Sequence, residues 1–511
     1  MMEWLKLSSS SSTSKLLERH DVEGQLQLLN KLYSKAQSSV SLEQLLRKHP
    51  SCLSAVTDLL SCSSVDVQEQ AARVLGCFAL VRSVYAERVT ETSGAVEGLA
   101  ARLRSSTAAV QRAAAGTFTA LAQKCPVHLG RARGGMNGLV ALLECSDPGM
   151  QQGAASTLEY LCRMRFADTI AAEPGAIKGL AALVSSSVTD AQLAAVSALK
   201  ALVLESPASR QPVSQEPGAI QGLVVLLSSG RAEAQVAAAR ALTHLAGTCS
   251  AGGEPVGQEP GFIKGLAAML SSSEAYVQLA AAKALEVLVA RPANCQHVGQ
   301  EPGVIAGLAP LLSSSRANIQ YVAAKVLGYL ALASPANSKA MGQDPRVVMR
   351  LEALVSYHYN VPKHVAWAAG FAMAAAAQGS SMFQRAFDTN SNAVWKSFAH
   401  VAGECDWAQL EVADLLYRLA ASSTALKQSM ADSEDLQGLL VSIQQQLQRP
   451  SGNNARGAET LAETIQLLTH GKTVYTQVLA YVDNRPQHAC RGRHTQYVAC
   501  RLHGMKCKQR M

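Results

Sequence analysis

The chain has 511 residues, 48% hydrophobic and only 5% aromatic, with a formal net charge of +8. An Ala- and Leu-rich interior of this kind suits close-packed helices better than sandwiches or barrels, and the longest near-apolar run, residues 365–377, is too short to span a bilayer. Cysteines placed singly, as at Cys77, Cys125, Cys162 and Cys295, show no pairing by spacing and suit a reducing interior.

The first segment, Met1 to Leu7, carries Glu3 and Lys6 and runs into Ser8–Ser12 without an apolar core, so no signal peptide is expected. Leu16, Leu17, Leu26, Leu28 and Leu29 then predict a helical N-terminal cap over residues 1–50. From there one pattern recurs. Seven clear copies begin near Ser51, Ser93, Gly134, Pro174, Pro217, Pro260 and Pro302, filling residues 51–344. Four of them open almost identically, with Glu173-Pro-Gly, Glu216-Pro-Gly, Glu259-Pro-Gly and Glu301-Pro-Gly at spacings of 43, 43 and 42 residues. A fixed period of this length means a stack of like units, each unable to bury its apolar faces alone.

Within the copy starting at Pro260, Ile263, Leu266, Met269 and Leu270 lie on one helical face. Ser271-Ser272-Ser273 should break that helix and cap the next. A long helix is predicted over 274–290, with Val277, Ala280, Ala281, Ala284, Leu285 and Leu288 forming a wide apolar stripe. A polar piece over 291–300 has room for one short helix before Pro302-Gly303 turns the chain. Gly94, Gly135, Gly175, Gly218, Gly261 and Gly303 are read as marking this turn in six copies. A Gln opens each long helix: Gln68, Gln111, Gln151, Gln192, Gln235, Gln278 and Gln320.

Beyond residue 344 the pattern decays. A weaker copy starts at Pro345, with Arg346 where the Gly belongs, and degenerate copies are expected over about 390–433 and 434–480, within a segment 345–483. The last segment, 484–511, holds seven basic residues and no acidic one, which leaves the rest of the chain near +1 of the total +8. Its Cys490, His494, Cys500, His503 and Cys507 are zinc-ligand types, but they lack a paired C-x-x-C and a hydrophobic surround. A disordered basic tail that touches nucleic acid or anionic lipid through charge is the expectation there.

The repeated Gly-Ala-Ile-x-x-Leu-x-x-Leu-Leu-Ser-Ser, followed by Gln-x-x-Ala-Ala-x-Ala-Leu-x-x-Leu, resembles the armadillo repeat of catenin, importin-α and plant arm-repeat proteins. HEAT repeats, with two helices per unit, lack this three-helix cadence. The resemblance covers residues 51–345 well and 345–480 loosely. It implies an all-α, armadillo-type right-handed α-superhelix, with a short, a medium and a long helix per repeat of about 42 residues. It also implies a groove lined by third helices that holds an extended peptide or a partner protein.

The importin-α branch places a Trp and, four residues on, an Asn on successive third helices. By alignment, the Trp position here holds Arg73, Gly116, Ser156, Ser197, Arg240, Lys283 and Lys325. The Asn position holds Cys77, Ala120, Tyr160, Ala201, His244, Val287 and Tyr329. Without that ladder, a nuclear-transport or cargo adaptor is the alternative rather than the first reading. Arg73, Arg240, His244, Lys283, Lys325 and Tyr329 become the candidate groove residues, a basic stripe favouring an acidic or phosphorylated segment. The bland alternative is that Arg and Lys simply fill solvated helix positions.

The Ser-rich turns could accept phosphate at a helix N-terminus, but capping accounts for them without regulation. No P-loop, G-x-S-x-G elbow or H-E-x-x-H is present. The chain is therefore expected to be no enzyme, to need no cofactor, and to work in the cytoplasm, with the nucleus as alternative. The expected function is a protein-interaction scaffold for a partner's acidic segment. A protein acting on nucleic acid or membrane through its basic tail is the alternative from another class.

Overall fold

The computed structural model describes residues 22–36, 51–246, 256–259, 261–356, 361–402 and 423–436, with single positions at 43, 44, 46, 412, 415, 416, 418 and 419. Among them every regular element is helical. They fall into two compact units, one reaching Leu245 and the other running from Gly257 onward.

The first unit opens with α1 (Val22–Ala36), α2 (Cys52–Asp58) and α3 (Val65–Val81). Complete three-helix cassettes follow: α4 (Ser83–Glu91), α5 (Ala95–Arg102), α6 (Ala108–Lys124); α7 (Pro126–Arg131), α8 (Gly135–Leu143), α9 (Pro148–Leu161); α10 (Ala167–Ala172), α11 (Ala176–Val184), α12 (Thr189–Glu205); and α13 (Arg210–Gln215), α14 (Ala219–Leu226), α15 (Ala232–Ala246). The second unit continues the cadence with α16 (Phe262–Leu270), α17 (Ala275–Val289), α18 (Pro292–Gln300), α19 (Val304–Leu311), α20 (Ala317–Ala333) and α21 (Pro335–Gly342). It then changes to longer helices: α22 (Pro345–Ser356), α23 (Lys363–Ala376), α24 (Ser381–Ala402) and the shorter α25 (Thr424–Ala431). The short, medium and long helices of the period are thus formed as the all-α solenoid reading requires.

Three local devices build each cassette. The turn into the medium helix is left-handed at Gly94, Gly134, Gly175, Gly218, Gly261 and Gly303, with φ between 79° and 99°. Only Gly adopts that conformation without steric cost. Between α7 and α8 the turn falls on Gly134, not on Gly135 as the sequence pattern suggested. Gly135 is needed for space, since a Cβ there would sit 1.9 Å from the Leu129 carbonyl oxygen. The second device is the Gln at the head of the long helix. Gln192 Nε2 donates to Val184 O at 2.8 Å, Gln278 Nε2 to Ser272 O at 2.7 Å and Gln111 Nε2 to Leu103 O at 3.0 Å. The amide satisfies a carbonyl left open where the medium helix ends, and so ties that end to the start of the long helix.

The third device corrects an expectation. The turn serines do not cap the long helix. Ser186, Ser229, Ser272 and Ser314 Oγ accept from the backbone N–H two residues on, at Val188, Arg231, Glu274 and Arg316. The residues at the helix mouth itself, Val188, Glu274 and Arg316, provide no side-chain cap. The hydroxyls bend the chain ahead of the helix.

Long helices of neighbouring cassettes pack through small residues. On α6, Thr117 Oγ1 donates to Ala72 O of α3 at 2.7 Å, where Gly76 leaves room for the hydroxyl. The Ala- and Leu-rich stripes on α12 and α17, including Ala195, Leu199, Leu202, Ala281 and Leu285, are buried. Each such Leu contributes about 2 kcal/mol on removal from water. The apolar run 365–377 is a buried helix: Val365, Trp367, Phe371 and Met373 on α23 are fully enclosed. No helix of the described residues is long and apolar enough to cross a membrane.

At the start of the eighth copy, where Arg346 replaces the Gly, no residue is left-handed. The ninth, expected to begin near Asn390, is crossed by the continuous helix α24. The tenth copy, most of the expected cap over 1–50, and the basic tail with its Cys490, His494, Cys500, His503 and Cys507 lie outside the described residues.

Candidate protein-interaction surface

The buried stripe of each long helix fixes which positions remain open. In the first unit Arg73, Gly116, Ser156 and Arg240 are exposed and Ser197 is half-buried, so the alignment position does face solvent across these third helices. Four residues further the pattern is mixed. Tyr160 is exposed, Cys77 half-buried, and Ala120, Ala201 and His244 buried.

Arg73 on α3 is paired with Glu69 at 3.5 Å and lies 5.4 Å over the ring of Tyr33 on α1. Arg240 on α15 has no ion pair with a described carboxylate. Between them stands a cluster that the sequence pattern did not pick out. Glu159 Oε1 on α9 meets Arg163 at 2.6 Å and Lys200 Nζ on α12 at 3.7 Å. Burial pushes the Lys200 ammonium below its ordinary value; Glu159 opposes this, while Arg163 and Arg240 lower it further. Three cations therefore act on one neighbourhood that holds a single bridging carboxylate. Arg163 itself lies in a π-turn over Cys162–Phe166, two residues before Arg165, whose φ of 70° is the one non-Gly positive φ among the described residues. Lys200 and Arg163 lie three and seven residues beyond the aligned positions Ser197 and Ser156. Both stand outside the two aligned offsets.

In the second unit Lys283 on α17 is exposed, but Lys325 on α20 is not a surface cation. Its side chain is 2% exposed, with Nζ 3.0 Å from Glu286 Oε1. It donates to Tyr321 Oη at 3.3 Å and lies over the rings of Tyr321, Trp367 and Tyr329 at 5.5, 5.9 and 6.0 Å. The expectation that Lys325 lines an open basic stripe is thereby corrected. A buried ammonium needs a partner, and here a carboxylate and three aromatic faces enclose it. Tyr329 is half-buried and packs edge-on against Phe371 of α23, at 5.3 Å between ring centres.

Among the described residues no group of His, Cys, Asp and Glu could hold a metal ion. The described cysteines are free thiols. Burial pushes Cys52, Cys125 and Cys162 up to about 12, far from a nucleophilic thiolate. A cavity of about 160 Å³ beside α24 is lined by Gln378, Gln384, Asp388, Ser391 and Ser429 among others. Its polar groups already serve the fold, with Gln384 Nε2 donating to Asp388 and Trp395 Nε1 to Ser429.

Stacked three-helix cassettes with polar, partly cationic third-helix faces define an all-α solenoid. Residues 206–247 match the Armadillo/beta-catenin-like repeat. The matched segment takes in α13, α14 and α15, one short, medium and long helix of the period. An engineered protein solved by the Northeast Structural Genomics Consortium is similar in fold, with a TM-score of 0.58 and 23% identity over 82% of this chain and 99% of that one. A chain from work on a phosphorylation switch that controls the interaction between cadherin and beta-catenin aligns at a TM-score of 0.49 and 16% identity, over 92% of this chain and 100% of that one. No curated protein matches the chain by sequence.

Proposed function

We propose that this chain is a non-enzymatic scaffold that holds an extended acidic segment of a partner protein against the third helices of its first unit. The observation that supports this most is that Glu159 bridges Arg163 and Lys200 while Arg240 acts on the same lysine, on a backbone locked by glycine turns and glutamine ties. A rigid face loses little entropy when an extended chain binds, and cations ordered in advance favour an acidic chain over a neutral one. Arg73 and Lys283 are further exposed cations on third helices. Lys325 contributes to the fold of the second unit instead.

The test is titration of the full chain into a fluorescein-labelled oligoglutamate peptide, followed by anisotropy. Binding should weaken as salt rises, because the Debye length shrinks to about 8 Å at physiological ionic strength. Replacing Arg73 and Arg240 together by Ala should weaken binding while the melting temperature stays put. Binding that is indifferent to both salt and these substitutions would sink the reading.

A further inference from the structure

We propose that the cavity beside α24 is a binding site for one guanidinium group, presented by an arginine side chain of a partner protein, with Asp388 as its counter-charge. The site lies wholly in the second unit and does not depend on the acidic-segment reading, which concerns the first.

The cavity stands where the chain just beyond α23 and the body of α24 meet α25, and it encloses about 160 Å³. At a water's share of about 30 Å³ in the liquid, that is roughly five water-sized positions, room for a planar guanidinium and the end of its stem. Asp388 carries the only full charge on the lining, and Arg385 and Lys396 of the same helix do not line it. The bonds these groups make within the fold leave acceptors open. Gln384 Nε2 donates to Asp388 Oδ1 at 2.8 Å, which leaves Gln384 Oε1 and Asp388 Oδ2 without a partner among the described residues. Ser429 Oγ accepts from Trp395 Nε1 at 3.0 Å and Ser423 Oγ from the Leu426 N–H at 3.3 Å, so each hydroxyl is held in place with a lone pair to spare. Ser391 adds a third hydroxyl. One carboxylate, an amide oxygen and three hydroxyls match a group that is cationic and only donates, and Phe387 and Leu426 give its apolar stem a wall. A guanidinium spreads five N–H donors in a plane, whereas an ammonium directs three from one point and reaches fewer of these acceptors. An anion is disfavoured. The mouth of α25 would attract one, but Ser423 already meets the Leu426 N–H there and Asp388 repels it. Asp388 is exposed while Gln384, Ser391 and Ser429 are half-buried, so the carboxylate is reachable from solvent and the other acceptors lie deeper.

The experiment is saturation-transfer NMR on the full chain with a short blocked peptide holding one arginine among glycines and serines. Twin peptides carry citrulline, which keeps the shape without the charge, or lysine. The arginine peptide should bind the native chain and both twins should bind more weakly. Asp388→Asn keeps an acceptor for Gln384 and should weaken the arginine peptide by about fivefold to tenfold, the difference between a charged and a neutral hydrogen bond. Ser391→Phe fills the cavity with every charge in place and should abolish binding. If circular dichroism shows that variant unfolded, Asp388→Asn decides alone, because an exposed carboxylate contributes no core packing. No binding to the native chain, or equal binding to Asp388→Asn, overturns the proposal. So does undiminished binding to a folded Ser391→Phe, which would seat the arginine on another carboxylate. A citrulline or lysine twin that binds as well as arginine overturns the guanidinium assignment. Guanidinium chloride that displaces the peptide at equal concentration would assign the site to a small free cation and overturn the protein partner. Oligoglutamate titrations report on the first unit alone, so loss of that reading leaves each of these outcomes unchanged.

Discussion

Neutralising Glu286 should harm the second unit far more than removing Lys325, although the two form one ion pair. Lys325 Nζ lies 3.0 Å from Glu286, with side-chain exposures of 2% for the lysine and 22% for the glutamate. In Glu286→Gln the ammonium stays buried without its counter-charge, a situation that typically costs about 3–5 kcal/mol. The faces of Tyr321, Tyr329 and Trp367 still hold it, returning about 1–2 kcal/mol, so the net loss should be about 2–3 kcal/mol. In Lys325→Met the glutamate can rehydrate through its exposed fifth, and the thioether fills the channel of the lost stem against aromatic rings. That change should cost within about 1 kcal/mol, and the double variant should resemble it rather than the sum. Urea unfolding followed by tryptophan fluorescence reports on this region, because Trp367 and Trp395 are both buried in the second unit. The comparison should use the midpoint of that transition, since repeat arrays need not unfold in one step. If Lys325→Met proves as costly as Glu286→Gln, the pair is a net source of stability and the desolvation argument is wrong.

Other consequences are equally direct. Gly218→Ala should cost about 1–2 kcal/mol purely through its φ of 79°, because an added Cβ meets nothing within 4 Å; an unaltered thermal midpoint would refute the strain. Gln192→Leu should lose about 1 kcal/mol and raise amide exchange at the junction of α11 and α12, because Val184 O loses its 2.8 Å donor. Stability should also erode in alkali. Cys162 is raised from its ordinary 9.0 to about 12 when folded, so the unfolded chain loses its proton first. Its contribution is intact below pH 9 and fades as pH climbs through that interval, and Cys162→Ala should flatten the slope of denaturation midpoint against pH.

How far the sequence carried depends on whether a residue's job is local. The left-handed turns were legible because a glycine at a fixed phase has one dominant use. The slip from Gly134 to Gly135 arose where two glycines adjoin and no Pro marks the register. The recurring Gln was visible as a repeat feature, but its bond to the end of the preceding helix was not. That bond spans six or eight residues through a turn whose geometry only the fold reveals. The serine turns misled because a hydroxyl before a helix usually caps it, whereas here it bonds one step earlier in the bend. Such errors remain within a cassette.

The site residues fail differently, because their meaning comes from other cassettes. Lys325 and Arg240 occupy the same aligned slot, yet one is enclosed and the other open. What separates them is Trp367, forty-two residues ahead of Lys325, and Glu286, thirty-nine behind it, neither belonging to the lysine's own repeat. Conversely, Lys200 and Glu159 stand at one common offset, three beyond Ser197 and Ser156, and meet because successive long helices stack. The repeat period thus tells which positions share a face, while charge and aromatic choices at neighbouring offsets decide whether a cation is buried as structure or left exposed. Each third-helix charge therefore takes its role from the residues one period before and after it: Lys325 is enclosed by Glu286 and Trp367, whereas Arg240 in the same slot stays exposed and acts on Lys200, which lies outside it.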